Sequence, residues 1–270
     1  MKSTIKSIGM LIYFLVAQIA VTFGIIIFKL LTDEEWFNAV GDCIMQEGVL
    51  SATYFSLISE LIIPTLIAAD IIVVLPVLFI AFKKKEKIYQ KLSVKSLVAY
   101  IGLGISLNLI VSGVVSSLPA QSTSEYDGLM QMVMTDNFFL TLVASGIIAP
   151  IVEEIIFRYC ICNFYKSSKV AIFVSALAFG IAHMNLIQSS YAFVLGIILA
   201  WLYVKTRNLL VPTIVHLTIN STSVIYEYLP SILQNVALVV AGVVLLFQVV
   251  KVVKVITLKM KSQSKLINGQ

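Results

Sequence analysis

The chain has 270 residues, of which 59% are hydrophobic and only 12% charged, with a mean hydropathy of +0.99. Soluble globular chains run at roughly 45–50% apolar and about 25% charged, so a water-facing exterior is excluded, as is disorder, which needs charge to keep a chain solvated. The formal charge of +5 fits basic loops on one side of a membrane, and no nucleic-acid partner is expected.

An apolar run of about 20 residues crosses the hydrocarbon core of a bilayer. Eight runs approach that length: Ile8 to Leu31, Leu57 to Phe82, Ser96 to Leu118, Phe138 to Tyr165, Val170 to Leu186, Tyr191 to Val204, Leu209 to Leu229 and Ile232 to Val250. The fifth and sixth are short. The first follows Lys2 and Lys6 and exceeds the 7–15-residue core of a signal peptide, so it reads as a retained anchor. A spanning segment must satisfy its own backbone, and no ten-residue alternating strands appear, so the runs are helices. The expected fold is all-α, a polytopic bundle of about eight transmembrane helices.

Lys83, Lys84, Lys85, Lys87, Lys91 and Lys95 fill the second loop, Lys166 and Lys169 the fourth, Lys205 and Arg207 the sixth, and five lysines from Lys251 to Lys265 the tail. The first loop carries Asp33, Glu34, Glu35, Asp42 and Glu47, and the third Glu125, Asp127 and Asp136. This alternation predicts a multi-pass cell-membrane protein with both termini cytoplasmic; Lys29, at the outer end of the first span, snorkels outward. Three regions follow: 1–137 with three spans, a core over 138–229, and 230–270 with the last span and basic tail. Cys43, Cys160 and Cys162 form no disulfide framework and read as packing residues. Gly102 and Gly104 read as close helix packing.

Ionisable groups inside hydrocarbon cost several kcal/mol each and mark functional cavities. Here they are Glu60, Asp70, Glu153, Glu154, Arg158, His183 and His216. Glu154 and Arg158 stand four apart with the acid first, the favoured order for an ion pair on one helix face. Glu153 is about 100° around the helix and lacks that partner, which suits a general base. Pro150 frees the Gly146 carbonyl and kinks the helix before the acids. His216 and Asn220 are also four apart, and Phe179 lies one turn before His183. At about 1.5 Å per residue, Glu153, Asn220 and His183 lie roughly 17–20 Å from the cytoplasmic ends of their helices, and His216 about 10 Å. Glu60 and Asp70 have no partner spacing. Asn220-Ser-Thr fits a glycosylation sequon, but burial makes it accidental.

Glu-Glu-x-x-x-Arg (Glu153, Glu154, Arg158), Phe-x-x-x-His (Phe179, His183) and His-x-x-x-Asn (His216, Asn220), in this order and each on a predicted span, resemble the CPBP family. That family comprises the type II CAAX prenyl endopeptidases and bacterial relatives, also called Abi proteins, linked to bacteriocin processing and self-immunity. The resemblance covers roughly Phe138 to Tyr226. It implies intramembrane endopeptidase activity: Glu153 with His183 activates a water, and His216 and Asn220 donate hydrogen bonds to the oxyanion. Glu154 and Arg158 hold the helix in register, with Phe179 in support.

No cofactor is favoured. A zinc mechanism stays open, with Glu153, His183 and His216 as three ligands and water as the fourth, although no His-Glu-x-x-His motif is present. The expected partners are membrane lipid and a membrane-associated or lipidated peptide, reached from the cytoplasmic side, where basic loops hold anionic headgroups. The rival reading is a non-catalytic immunity or scaffold protein that binds a peptide or a membrane sensor kinase. A proton-relay transporter ranks last, because no repeated half with a broken helix is present.

Overall fold

The computed structural model describes residues 2–46, 52–83, 88–134, 137–230, 232–234 and 236. The eighth predicted span, Ile232 to Val250, and the basic tail lie outside the described residues except for the short stretch at 232–236. All regular structure among the described residues is helical. The helices are α1 (Lys2–Thr32), α2 (Glu34–Gln46), α3 (Ala52–Lys83), α4 (Val94–Ser116), α5 (Ala120–Val133), α6 (Phe138–Cys162), α7 (Ser168–Ala182), α8 (Leu186–Thr206) and α9 (Leu210–Glu227).

Five of them, α1, α3 over Leu61–Ala81, α4, α6 and α8, are long and apolar enough to cross a membrane. The sixth predicted run lengthens on its N-terminal side, because the Asn185 carboxamide accepts the N–H groups of Ile187 and Gln188 and starts α8 at Leu186. The fifth shortens for the same reason: α7 closes at Ala182, and Met184 turns the chain with φ of 55°.

Two acidic loops fold as helices. Asp33 caps α2 by accepting the Trp36 N–H at 2.9 Å. Trp36, Val40 and Cys43, spaced as one helical stripe, are its buried residues. The third loop carries α5.

α6 is central, packing against α1, α3, α7, α8 and α9. Its residues from Ile155 to Arg158 are all fully or almost fully buried, as expected of a helix with protein on every side. Phe14 of α1, Val73 and Val77 of α3, Phe179 of α7 and Tyr203 of α8 close around it. A second core joins α4, α8 and α9 through Tyr100, Leu103, Leu199, Leu202, Val211 and Val215. In contrast, Ile8, Ile12, Ile19, Phe23 and Phe28 of α1 are about half exposed or more, the arrangement a lipid solvent favours. Asn208 ties the α8–α9 turn to the segment before α4: its amide donates to the Gln90 carbonyl at 2.9 Å, and its carbonyl accepts the Gln90 N–H at 3.0 Å.

Candidate functional site

The site forms where α6 and α9 cross beside the end of α7. α6 is not a regular α-helix. Over Leu142–Ile148 and again over Glu154–Cys162 it runs in the wider π register, where each N–H reaches five residues back. Such bulges rotate side chains relative to an ideal helix, and they flank the Glu153–Glu154 step.

Glu154 is fully buried. Its Oε2 lies 3.1 Å from Arg158 Nε, and its Oε1 lies 2.9 Å from His216 Nδ1. Arg158, equally buried, donates from Nη1 to Ser175 Oγ at 3.2 Å, and that hydroxyl donates to the Phe157 carbonyl at 2.8 Å. Its guanidinium stands 4.5 Å from the centre of the Phe179 ring, a cation–π contact strengthened by the absence of water.

Glu153 meets the same imidazole from the other side, with Oε2 3.5 Å from His216 Nε2. The two acids differ in access: the Glu153 side chain keeps 17% of its surface exposed, against none for Glu154. Asp70, Glu154 and Arg158 all act on Glu153 at coulombic range. A neutral imidazole has one N–H, and both His216 nitrogens face carboxylate oxygens.

His183 caps the C-terminus of α7. Its Nδ1 lies 2.8 Å from the Phe179 carbonyl oxygen, which can only accept, so Nδ1 carries the hydrogen and Nε2 is left with a free lone pair. The Phe179 ring packs edge-to-face against both histidines, with centroids 4.8 Å from His183 and 5.4 Å from His216. One phenyl ring thus spaces two imidazoles and a guanidinium.

Asn220, one turn beyond His216, donates from Nδ2 to the Ser145 carbonyl at 3.0 Å. An amide nitrogen has two hydrogens, so one remains for another acceptor.

Two further groups stand near the site, Asp70, whose partner was not legible, and Tyr191, which was not singled out. Asp70, 4% exposed, accepts a 2.8 Å hydrogen bond from Gln18 of α1 and lies within coulombic range of Glu153; its partner is 52 residues away, beyond any spacing rule. Tyr191 of α8, also within coulombic range of Glu153, packs edge-on against Tyr126 of α5 at 6.2 Å. The Glu60 side chain lies outside the described residues. Among the described residues, no three His, Cys, Asp or Glu side chains are grouped so as to hold a metal ion.

The sequence matches the family model of the Rce1-like type II CAAX prenyl endopeptidases over residues 135–222. It is 31% identical over 175 residues to the membrane-embedded CAAX protease MroQ of Staphylococcus aureus, covering 57% of this chain and 69% of that protein. YdiL of Bacillus subtilis is 35% identical over 94 residues, or 34% of this chain and 38% of YdiL. YxdF of Lactococcus lactis is 33% identical over 76 residues, or 28% of this chain and 43% of YxdF. The chain thus spans well under half of YdiL and YxdF and about two thirds of MroQ. No solved structure matches the chain.

Proposed function

Because the chain belongs to the Rce1-like CAAX protease family, we propose that it is an intramembrane endopeptidase whose general base is Glu153. The observation that supports this most is the unequal treatment of two adjacent acids around one imidazole. Glu154 is sealed against Arg158, while Glu153 faces His216 and keeps an exposed edge.

In this reading Glu153 takes a proton from water, and the hydroxide attacks the scissile carbonyl carbon. His183, with Nδ1 fixed on the Phe179 carbonyl, accepts a hydrogen bond from the water at Nε2 and orients it. His216 Nε2–H and the second Asn220 N–H stabilise the oxyanion, the charge that develops only in the transition state. The C–N bond then breaks, and the Glu153 carboxyl returns the proton to the leaving amine. Atoms balance with water as the only co-reactant, and every group used belongs to the chain.

The substrate class we propose is a membrane-associated or lipidated peptide, approached from the side of the basic loops, which we assign to the cytoplasm. The test uses the chain in proteoliposomes with an internally quenched farnesylated CAAX peptide, together with mass spectrometry of membrane peptides from cells carrying the wild type or Glu153→Gln. Cleavage falls at least about 100-fold in Glu153→Gln, as for loss of a general base, while the variant still inserts and accumulates. Glu153→Gln retaining wild-type cleavage, or no Glu153-dependent product in either assay, overturns the proposal and leaves the immunity or scaffold reading.

A further inference from the structure

We propose that Asn185 is a positioning residue for the peptidase reaction: it holds a strained turn at Met184 and thereby fixes the His183 imidazole at the end of α7. The inference rests on His183 as the group that orients the attacking water.

The strain has a cause in the packing of α7 against α8. Gly180 lies so close to α8 that a Cβ there would stand 2.9 Å from the Ser189 carbonyl oxygen, and a Cβ at Gly196 would stand 3.0 Å from Ala176 Cα. Helices this close leave only His183, Met184 and Asn185 to reverse the chain between Ala182 and Leu186. They do so with a hydrogen bond across a single residue. The Asn185 N–H donates to the His183 carbonyl at 2.8 Å, and Met184 between them has φ of 55°. That combination is the γ-turn of positive φ, a rare and strained conformation for a residue with a Cβ. Met184 is 77% exposed, so packing of its own side chain does not hold it there.

Asn185 supplies the hold. It is 7% exposed. Its carboxamide oxygen accepts the Ile187 and Gln188 N–H groups at 3.1 and 3.2 Å, and its carbonyl accepts the Ser189 N–H at 2.7 Å. On the other side of the turn, the His183 N–H reaches the Gly180 carbonyl and the Met184 N–H the Ile181 carbonyl, both at 3.2 Å. Without the carboxamide cap, Met184 is free to relax to negative φ. The glycine contacts keep the helix bodies in place, so the change falls on the turn and the helix ends that flank it, where His183 stands. A shift there breaks the 2.8 Å contact between His183 Nδ1 and the Phe179 carbonyl, which fixes both the ring and its tautomer. The effect is on the chemical step rather than on substrate binding.

The test measures turnover of the quenched farnesylated CAAX peptide in proteoliposomes, and the melting temperature in detergent. The variants are Asn185→Ala, Asn185→Ser, Met184→Gly and the Met184→Gly/Asn185→Ala double variant, with Glu153→Gln and His183→Ala as references. Asn185→Ala lowers kcat about tenfold or more, the scale of a catalytic group moved by a fraction of an ångström to an ångström, with KM within about twofold. Asn185→Ser, which keeps an oxygen acceptor at the cap, restores most of the rate. Glycine takes positive φ without steric cost, so Met184→Gly does not lower the melting temperature. With no strain left to release, adding Asn185→Ala to it lowers kcat by no more than about threefold, whereas a cap that only stabilised α8 would cost the same in both backgrounds. Wild-type kcat in Asn185→Ala, no rescue by Asn185→Ser, a lower melting temperature in Met184→Gly, or an equal fall in both backgrounds overturns the inference. If Asn185→Ala does not accumulate folded protein, the double variant decides: folded, active protein supports the turn argument, and anything else overturns it. Wild-type turnover by Glu153→Gln or His183→Ala sinks the reading on which the inference rests, a result separable from any outcome at Asn185.

Discussion

Replacing Arg158 by methionine removes a guanidinium that is wholly buried and leaves the Glu154 carboxylate facing only His216. At 3.1 Å and an effective dielectric of about 20, the lost attraction is about 5 kcal/mol gross. Breaking a buried pair from one side typically costs about 3–5 kcal/mol, because the remaining charge stays buried. His216 Nδ1, 2.9 Å from Glu154 Oε1, compensates in part, which places the expected loss near the lower figure, about 3 kcal/mol. Loss of the stacking on Phe179 adds a contribution of up to about 2 kcal/mol. Equilibrium unfolding by SDS in mixed micelles, followed by far-ultraviolet circular dichroism, reads this directly. The double variant Glu154→Gln/Arg158→Met should recover about 1–2 kcal/mol of the deficit, because neither charge is then stranded. Glu153→Gln, whose side chain is partly exposed and makes no ion pair with Arg158, should stay within about 1 kcal/mol of wild type. An Arg158→Met variant as stable as wild type, or a double variant no better than the single, would refute the assignment of Arg158 as the counter-ion that keeps Glu154 sealed.

Two further outcomes follow from other parts of the structure. Gly104→Leu forces α4 away from α9, because a Cβ at that position would lie 2.6 Å from Thr218 Cβ and 2.7 Å from the Val215 carbonyl. Its melting temperature in detergent should drop by several degrees, while Gly24→Ala, with nothing within 4 Å, leaves it unchanged. Asp33, in the turn between α1 and α2, has its carboxyl held below the ordinary value of 3.8 by the Lys29 ammonium and the Trp36 N–H. A depressed folded value means that the stabilisation of the α2 cap is present above about pH 3.8 and is lost as pH falls through the lower folded value. In a Trp201→Phe background, Trp36 fluorescence should therefore report loosening of α2 only in strong acid, and Asp33→Asn should remove that transition.

Where sequence reading succeeded, it worked through periodicity and charge. Apolar length located the helices, and the four-residue spacing of Glu154 and Arg158 placed them on one face, where they meet. α2 was also readable, because Asp33 followed by Glu34, Glu35 and the stripe Trp36, Val40, Cys43 is a capped amphipathic helix; its acidic residues, taken as a loop signal, hid that pattern. The placement of Glu153 was not readable. An ideal helix sends adjacent residues about 100° apart, which put Glu153 and Glu154 in different neighbourhoods. The π register and the two-sided shape of an imidazole allow both to address His216. Pro150 announces a break, but the donors that meet the Ser145 and Gly146 carbonyls before it, Asn220 and Ser221, lie 75 residues from them on α9. Gln18 and Asp70 show the same limit: their bond exists only because α1 packs on α3.

The shortness of α7 has a consequence for the leaflet around it. Its 15 residues rise about 22 Å, several ångströms less than the roughly 30 Å of bilayer hydrocarbon. Beyond its last turn come Met184 and, past the Asn185 cap, Leu186 at the start of α8, 77% and 82% exposed. A lipid leaflet meets such a mismatch by thinning, at a cost of fractions of a kcal/mol per ångström. A leaflet that thins to match α7 brings its headgroups closer to the α7–α8 hairpin, the end of α7 at which His183 stands.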